Sequence, residues 1–126
     1  MPRIIVTTDK APKSLVYSQA VKSAGFVFVS GQGPYDPVTG EVIGSTIQEQ
    51  TAQCLKNIRA ILQAANSSID QIVSATFILG DPGDFPGMNE EWTKWFPKDQ
   101  PARQGAKLPI QPKGMKISIA VIAEAP

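Results

Sequence analysis

Arg103 is the side chain that most directly offers chemistry in this 126-residue chain, and it lies in the run Gln100-Pro101-Ala102-Arg103-Gln104-Gly105. A guanidinium group is a planar fork of hydrogen-bond donors, which can hold a small carboxylate through two parallel hydrogen bonds. A surface arginine in an arbitrary protein is more often solvated or paired with an acidic side chain. Arg103 is therefore a candidate anion-binding residue, with a solvated arginine as the alternative.

The residue counts exclude several common kinds of active site. The chain has no histidine and a single cysteine, Cys54, so it lacks the commonest general base and cannot form an internal disulfide. We therefore expect no metal ion and no cofactor. Cys54 falls on the apolar side of a predicted helix, where a buried thiol is expected. Gly31-Gln32-Gly33 is not followed by the Lys and Ser/Thr of a phosphate-binding loop, so a turn is predicted there.

The composition indicates one globular domain over residues 1–126. Hydrophobic residues make up 42% of the chain and charged residues 18%, which is sufficient for a core. The net charge is +1 and no basic stripe is present, so we expect no nucleic-acid partner and no acidic-lipid partner. No apolar stretch reaches membrane-spanning length, and the amino terminus lacks a signal-peptide pattern. We expect a cytoplasmic protein.

Hydrophobic periodicity predicts five strands and two helices. The strands are predicted over residues 3–8, 15–22, 26–31, 72–79 and 115–124, and the helices over residues 46–65 and 85–96. A tight turn is predicted at Ser23-Ala24-Gly25, and Thr46 with Glu49 has the pattern of a capping box. This order of elements predicts an α+β fold, in which one sheet packs on two helices.

The patterns also predict which surfaces are buried. Residues 72–79 have no polar face and are expected to be buried on both faces. In the last strand the odd positions from Met115 to Ala123 are apolar, and Lys116, Ser118, Ala120 and Ile122 take the other face. In the second helix, Trp92 and Trp95 are expected in the core. The helices are expected to cover only one face of the sheet. The uncovered face and the apolar odd face of the last strand both favour self-association.

Several short motifs occur in a specific order and spacing over residues 11–123. They are Tyr17-Ser18-Gln19-Ala20-Val21, Phe26-Val27-Phe28-Val29-Ser30-Gly31-Gln32, Asn57-Ile58, Phe85 with Met88-Asn89, Pro101-Ala102-Arg103 and Pro112-Lys113-Gly114. Together they resemble the RidA (YjgF) family of imine and enamine deaminases. The resemblance implies a chorismate-mutase-like fold, with the sheet packed on two helices. It also implies a homotrimer, in which three sheets form a central barrel and three clefts lie between subunits.

The resemblance also implies an activity: hydrolysis of small 2-imino or 2-enamino acids to 2-keto acids and ammonia. The catalytic candidates it implies are Arg103, Tyr17 and Gly105. The substrate-binding candidates are Ser30, Gly31, Asn89 and Arg103, which holds the carboxylate. Gly105 stands where the family usually has Cys. The family uses mainly the backbone at this position to hold the imine nitrogen, so glycine is expected to keep that contact and, lacking a side chain, to widen the pocket.

The last strand departs from the family pattern. Ala120 stands where the family usually has a Glu that positions water, and a carboxylate at that position is expected to lie near Arg103. Such a base typically contributes about 10²–10⁴-fold in rate, so hydrolysis is expected to be slower. The alternatives are a protein that binds small carboxylates without hydrolysing them, and an enzyme for a different enamine or carbonyl substrate. Endoribonuclease or translation-inhibitor activity is the least favoured, because the chain is nearly neutral and lacks histidine.

Overall fold

The computed structural model describes residues 2–107 and 114–126, so Pro112 and Lys113 of the last motif lie outside the described residues. The strands are β1 (Ile4–Val6), β2 (Ala20–Ser23), β3 (Phe26–Gln32), β4 (Ile72–Leu79), β5 (Ala102–Lys107) and β6 (Ile117–Glu124). The helices are α1 (Ile47–Ala64) and α2 (Phe85–Trp95), with short 3-10 turns at Ile69–Gln71 and Pro82–Asp84. Within the described ranges, no helix combines the length and hydrophobicity needed to cross a membrane.

The six strands form one mixed sheet in the order β1-β2-β3-β6-β4-β5. Neighbouring strands are antiparallel except β4 and β5, which are parallel. A parallel pair requires a crossover connection, and α2 supplies it. Between β2 and β3, Ala24 and Gly25 have φ values of 54° and 84°, as a two-residue type I′ hairpin turn requires. The predicted α+β arrangement and the predicted turn are both confirmed.

Two strand predictions are wrong. The strand predicted over residues 15–22 begins only at Ala20, because the preceding residues belong to an irregular segment that is held by side-chain hydrogen bonds of Gln19. β5 was not predicted at all. Its six residues are all exposed and show no apolar alternation, and the strand exists because it pairs with β4 along the edge of the sheet.

The two helices cover one face of the sheet. The odd positions of β6 are buried against them, whereas Ala120 and its even-numbered neighbours are only half-buried. The apolar odd face of β6 is therefore covered by the chain itself. The expectation that this face favours self-association is wrong, because it is not available to another copy. β4 alternates in the same way, so the expectation that it is buried on both faces is wrong. We call the uncovered side the open face; Phe28, Ser74, Thr76, Ala120 and Ile122 lie on it.

The helix predictions are largely confirmed. The Glu49 backbone N–H donates to Thr46 Oγ1 at 3.1 Å, and the Thr46 N–H donates to Glu49 Oε1 at 3.1 Å, which completes the capping box. Cys54 is fully buried, and its burial raises the pKa of the thiol. Trp92 is in the core as expected, whereas Trp95 is only partly buried and donates from Nε1 to a carboxylate of α2.

Candidate functional site

Arg103 lies on β5 with its guanidinium directed toward α2. Its Cζ is 4.9 Å from the ring centroid of Phe77, 5.1 Å from that of Trp92 and 5.6 Å from that of Phe85. Nη1 donates a hydrogen bond of 2.8 Å to Oδ1 of Asn89. The three rings form a surface on which a planar cation can stack, and Asn89 fixes its orientation. We call these five residues the Arg103 pocket.

The charge of the Arg103 pocket is uncompensated in the described part of the chain. The ion pairs found there join Lys13 to Asp9 and Lys94 to Glu91, and neither involves Arg103. Partial burial lowers the pKa of Arg103, but an arginine side chain remains protonated in proteins. The guanidinium therefore presents a positive charge and further N–H donors to a ligand, an arrangement suited to a carboxylate.

Gly105 lies two residues beyond Arg103 and opposite Phe77 in the register of β5 and β4. The ring of Phe77 lies directly over the glycine. A β-carbon built on Gly105 would overlap Cζ of the ring and would lie 2.7 Å from Cε1. The expectation that glycine widens the pocket at this position is therefore wrong, because Phe77 fills the volume that a side chain would take.

An apolar groove of about 320 Å³ lies beside the Arg103 pocket. Phe77 and Phe85, whose rings contact the Arg103 guanidinium, also form part of the groove wall. The remaining lining residues are Leu79, Pro82, Gly105, Ala106 and Lys107. A ligand held by Arg103 can thus place a small apolar group in the groove, whose volume is at the lower end for ligand sites.

A second group of predicted site residues lies around the end of β3. Ser30 Oγ donates to the Ser18 carbonyl at 2.6 Å, which joins β3 to the segment that carries Tyr17. Tyr17 is 56% exposed. A β-carbon on Gly31 would lie 3.2 Å from Ser118 Oγ, so the strand backbone and this hydroxyl are in close approach. We call these five residues the Tyr17 surface.

Gln19 holds the Tyr17 surface in place. Its side chain is almost completely buried, and Nε2 donates to the carbonyls of Thr8, Ala11 and Pro12 at 2.8–3.0 Å. Oε1 accepts from the Thr8 N–H at 2.7 Å. The sequence places Gln19 in a family motif but does not show this role. Its position beside the apolar Ala20 was the available signal, since a polar residue in an apolar run must find partners if it is buried.

A buried amide on α1 fixes the loop that follows β3. Asn57 Nδ2 donates to the carbonyls of Gly33 and Tyr35 at 3.2 and 2.9 Å. Burial raises the pKa of Tyr35, and the neighbouring Cys54 and Tyr17 raise it further. The Tyr35 phenol is therefore neutral at physiological pH. The loop and the Tyr17 surface are thus both supported by side-chain amides rather than by regular secondary structure.

Within one chain, the Arg103 pocket and the Tyr17 surface are separate. Gly31 is on β3 and Arg103 on β5, and β6 and β4 lie between these strands, so about 14 Å of sheet separates them. Ala120 pairs with Thr76 on the open face, whereas Arg103 faces α2. The expectation that a carboxylate at position 120 lies near Arg103 is therefore wrong for a single chain. Each chain brings Arg103, Asn89 and Gly105 together, but not with Tyr17, Ser30 and Gly31.

The surroundings of Ala120 contain hydroxyl groups but no acid. The pocket on the open face is lined by Phe28, Val29, Ser74, Thr76, Ala120, Val121 and Ile122. Gln104 Nε2 donates to Thr76 Oγ1 at 3.2 Å, which adds an amide to this patch. Over residues 2–107 and 114–126, no three histidine, cysteine or acidic side chains come together as a group that could hold a metal ion.

The fold is that of an α+β protein with a candidate anion-binding site, the Arg103 pocket, on an edge strand, and the chain can be compared with known proteins on this basis. A model of the family described as Endoribonuclease L-PSP matches residues 8–125. A RutC family protein from Pyrococcus abyssi is 41% identical over 124 residues, or 98% of each chain. The 2-iminobutanoate/2-iminopropanoate deaminase of Rattus norvegicus is 37% identical over 122 residues, covering 96% of this chain and 89% of the relative.

A solved structure supports the same assignment. The crystal structure of E. coli TdcF with bound serine matches with a TM-score of 0.89 at 34% identity, covering 96% of this chain and 98% of that chain. The chain therefore belongs to the RidA (YjgF) family. The fold implied by the sequence motifs, a sheet packed on two helices as in YjgF-like structures, is confirmed.

Proposed function

We propose that the protein hydrolyses small 2-imino and 2-enamino acids to 2-keto acids and ammonia, and that Arg103 binds the substrate carboxylate. The observation that carries this proposal is the Arg103 guanidinium, which has no acidic partner among the described residues and is held on three aromatic rings, two of which also line an apolar groove. The name of the rat relative specifies iminobutanoate and iminopropanoate as its substrates. The bacterial relative TdcF was crystallised with serine, itself a small carboxylate.

We further propose that the complete site forms between copies of the chain in a homotrimer. The Arg103 pocket and the Tyr17 surface are too far apart in one chain to act on the same small substrate. The open face carries Phe28, which is 44% exposed, with Ile122 and Ala120 beside it. Burial of this face against other copies would stabilise an assembly. In that assembly the Tyr17 surface of one copy completes the Arg103 pocket of its neighbour.

The chemistry follows from the electrophilic carbon of a protonated imine. Arg103 fixes the carboxylate, and a backbone group at Gly105, on the edge strand β5, holds the imine nitrogen. Water adds to the imine carbon, a proton moves to the nitrogen, and the resulting carbinolamine releases ammonia to leave the 2-keto acid. Tyr17 and Ser118 supply hydroxyl groups that orient the water in the absence of a carboxylate at Ala120.

The lack of an acid near Ala120 favours a second candidate, a protein that binds small carboxylates without hydrolysing imines or that acts on a different enamine or carbonyl compound. Among the described residues lining this patch, none can deprotonate water at neutral pH. Endoribonuclease activity has the weakest support. The chain has no histidine, and its net charge of +1 provides little attraction for RNA phosphates.

The test is a competition for imines made by an L-amino-acid oxidase. Semicarbazide traps the released imine, and an imine deaminase lowers the rate at which the semicarbazone forms. We expect the wild-type protein to lower the rate of semicarbazone formation, and we expect the Arg103→Ala variant to leave it at the rate measured without protein. Arg59→Ala is the matched control, because Arg59 also lies over an aromatic ring, at 5.2 Å from Trp95, but outside the pocket.

The result that would contradict hydrolysis has two parts. The wild-type protein binds 2-oxobutanoate through Arg103, but it leaves the rate of semicarbazone formation unchanged for every imine. The carboxylate-binding alternative would then replace hydrolysis.

A further inference from the structure

We propose that Phe77 is the residue that determines which acids the site accepts, because its ring forms the floor on which the ligand side chain lies. The inference rests on the proposed function, since it concerns the same anion site. Phe77 contacts both parts of that site. Its ring lies 4.9 Å from the Arg103 guanidinium carbon and also covers Gly105.

The register of β4 and β5 explains how one ring reaches both positions. Phe77 pairs with Gly105 in the parallel ladder, so the two residues face the same side of the sheet. The absence of a β-carbon at Gly105 lets the ring lie over the backbone of β5, where a β-carbon would overlap its Cζ. Phe77 and Gly105 are therefore a matched pair: the ring fits only because position 105 has no side chain.

The position of this pair relative to Arg103 makes it a determinant of ligand size. Alternate residues of a strand lie about 7 Å apart, so Gly105 is about one small side chain away from Arg103 along β5. A 2-oxo acid bound to the guanidinium by its carboxylate would thus extend its side chain over the Phe77 ring. Phe85 meets this ring at 5.8 Å between centroids with a tilt of 31°, which closes one wall of the groove.

Two kinds of substitution should change the groove in opposite directions. Phe77→Val removes most of the ring and deepens the floor, so longer and branched acids gain room. Gly105→Ala inserts a methyl group where the ring now lies, which forces the ring up into the groove and reduces the room. The double variant, Phe77→Val with Gly105→Ala, should regain space in the groove, because valine at position 77 is too short to reach the new methyl group at position 105. One extra or missing methylene group in an apolar pocket typically changes discrimination between ligands by about 10–200-fold.

The experiment measures dissociation constants by calorimetry for 2-oxobutanoate, 4-methyl-2-oxopentanoate and 3-phenyl-2-oxopropanoate. We expect the affinity of the phenyl acid relative to 2-oxobutanoate to rise at least about tenfold in Phe77→Val and to fall by a similar factor in Gly105→Ala. The double variant should bind the phenyl acid at least about tenfold more tightly than Gly105→Ala alone.

Phe77 also belongs to the core, so its substitution has a stability control. Phe96→Val is the matched variant, because Phe96 is a similarly buried phenylalanine that does not line the groove. It should lower stability without changing the affinity ratio. Phe77→Leu, a smaller change, and Gly105→Ala, on an exposed strand, carry the test if Phe77→Val does not fold.

The outcomes separate this inference from the proposed function. If all variants keep the wild-type affinity ratio while Arg103→Ala abolishes binding, the anion site stands and the role of Phe77 is refuted. If the wild-type protein binds none of the three acids, the anion site itself fails and the role of Phe77 fails with it. A ratio that changes equally in Phe96→Val would also overturn the inference, because the effect would then be general loosening of the core.

Discussion

Replacing Arg103 by lysine keeps the positive charge but removes the planar fork, and it therefore tests whether the pocket recognises a carboxylate by geometry. In the wild-type protein, Asn89 and three aromatic rings orient the guanidinium. An ammonium can lie over one of these rings but cannot stack on them, and it cannot form two parallel hydrogen bonds with one carboxylate.

The size of the expected effect follows from the bonds that are lost. A hydrogen bond to a charged group contributes about 1.5–3 kcal/mol, so loss of one of the two should weaken 2-oxobutanoate binding about 10–150-fold. The cost to folding should be small, since a cation–π contact at such a site contributes about 0.5–1 kcal/mol. The two effects can thus be separated by measuring binding and stability on the same preparation.

Titration calorimetry gives the dissociation constant, and urea unfolding gives the stability. Arg59→Lys is the control for a generic effect of lysine on an aromatic ring, and it should leave binding unchanged. If Arg103→Lys binds 2-oxobutanoate within about twofold of the wild type, bidentate recognition is refuted. The charge alone would then account for any anion binding.

Three further predictions concern support of the site and its chemistry. Gln19→Ala should lower the free energy of unfolding in urea by about 2–3 kcal/mol, because the bond to Oε1 and the contacts that the two Nε2 protons share among three carbonyls are lost; a change within error would show that the Gln19 side chain is dispensable. Hydrogen bonds from the Thr46 and Ser45 backbone hold the pKa of Glu49 below its usual value, so its contribution to stability is present above pH ~4.5 and lost as the pH falls through the lowered value. Glu49→Gln should therefore unfold at lower urea than the wild type at pH ~7, and this gap should shrink as the pH falls below ~4.5; a gap that does not change with pH would contradict this. Ala120→Glu should raise imine hydrolysis toward the low end of about 10²–10⁴-fold in the semicarbazone assay, and no increase in turnover with carboxylate binding intact would count against the deaminase function.

The sequence predicted the elements whose patterns are local. α1 has a continuous apolar stripe and a capping box, and β4 is a compact β-branched and aromatic run, so both were found with bounds correct to within a residue at each end. β5 was missed because its stability comes from pairing with β4, not from its own residues. The Tyr and Val residues before Ala20 predict a strand, whereas the buried Gln19 amide determines the irregular path of this segment.

The candidate site was predicted in part for similar reasons. Motifs identified Arg103 and Asn89, which the structure joins by a hydrogen bond. The role of Phe77 was not visible, since it depends on which residue of β4 pairs with Gly105. The face on which Ala120 lies relative to Arg103 also depends on the order of strands in the sheet. Composition and periodicity carry no information about that order.

A complementation experiment tests most directly whether the Arg103 pocket of one copy and the Tyr17 surface of another together hydrolyse imines. Arg103→Ala and Tyr17→Ala proteins, each expected to be inactive alone, are refolded together from denaturant and assayed for imine hydrolysis. In a mixed cyclic assembly, roughly a quarter of the clefts combine an intact Arg103 with an intact Tyr17, so we predict roughly a quarter of the wild-type rate. A mixture that stays as inactive as its components, although it contains both chains in one assembly, would contradict a site shared between copies.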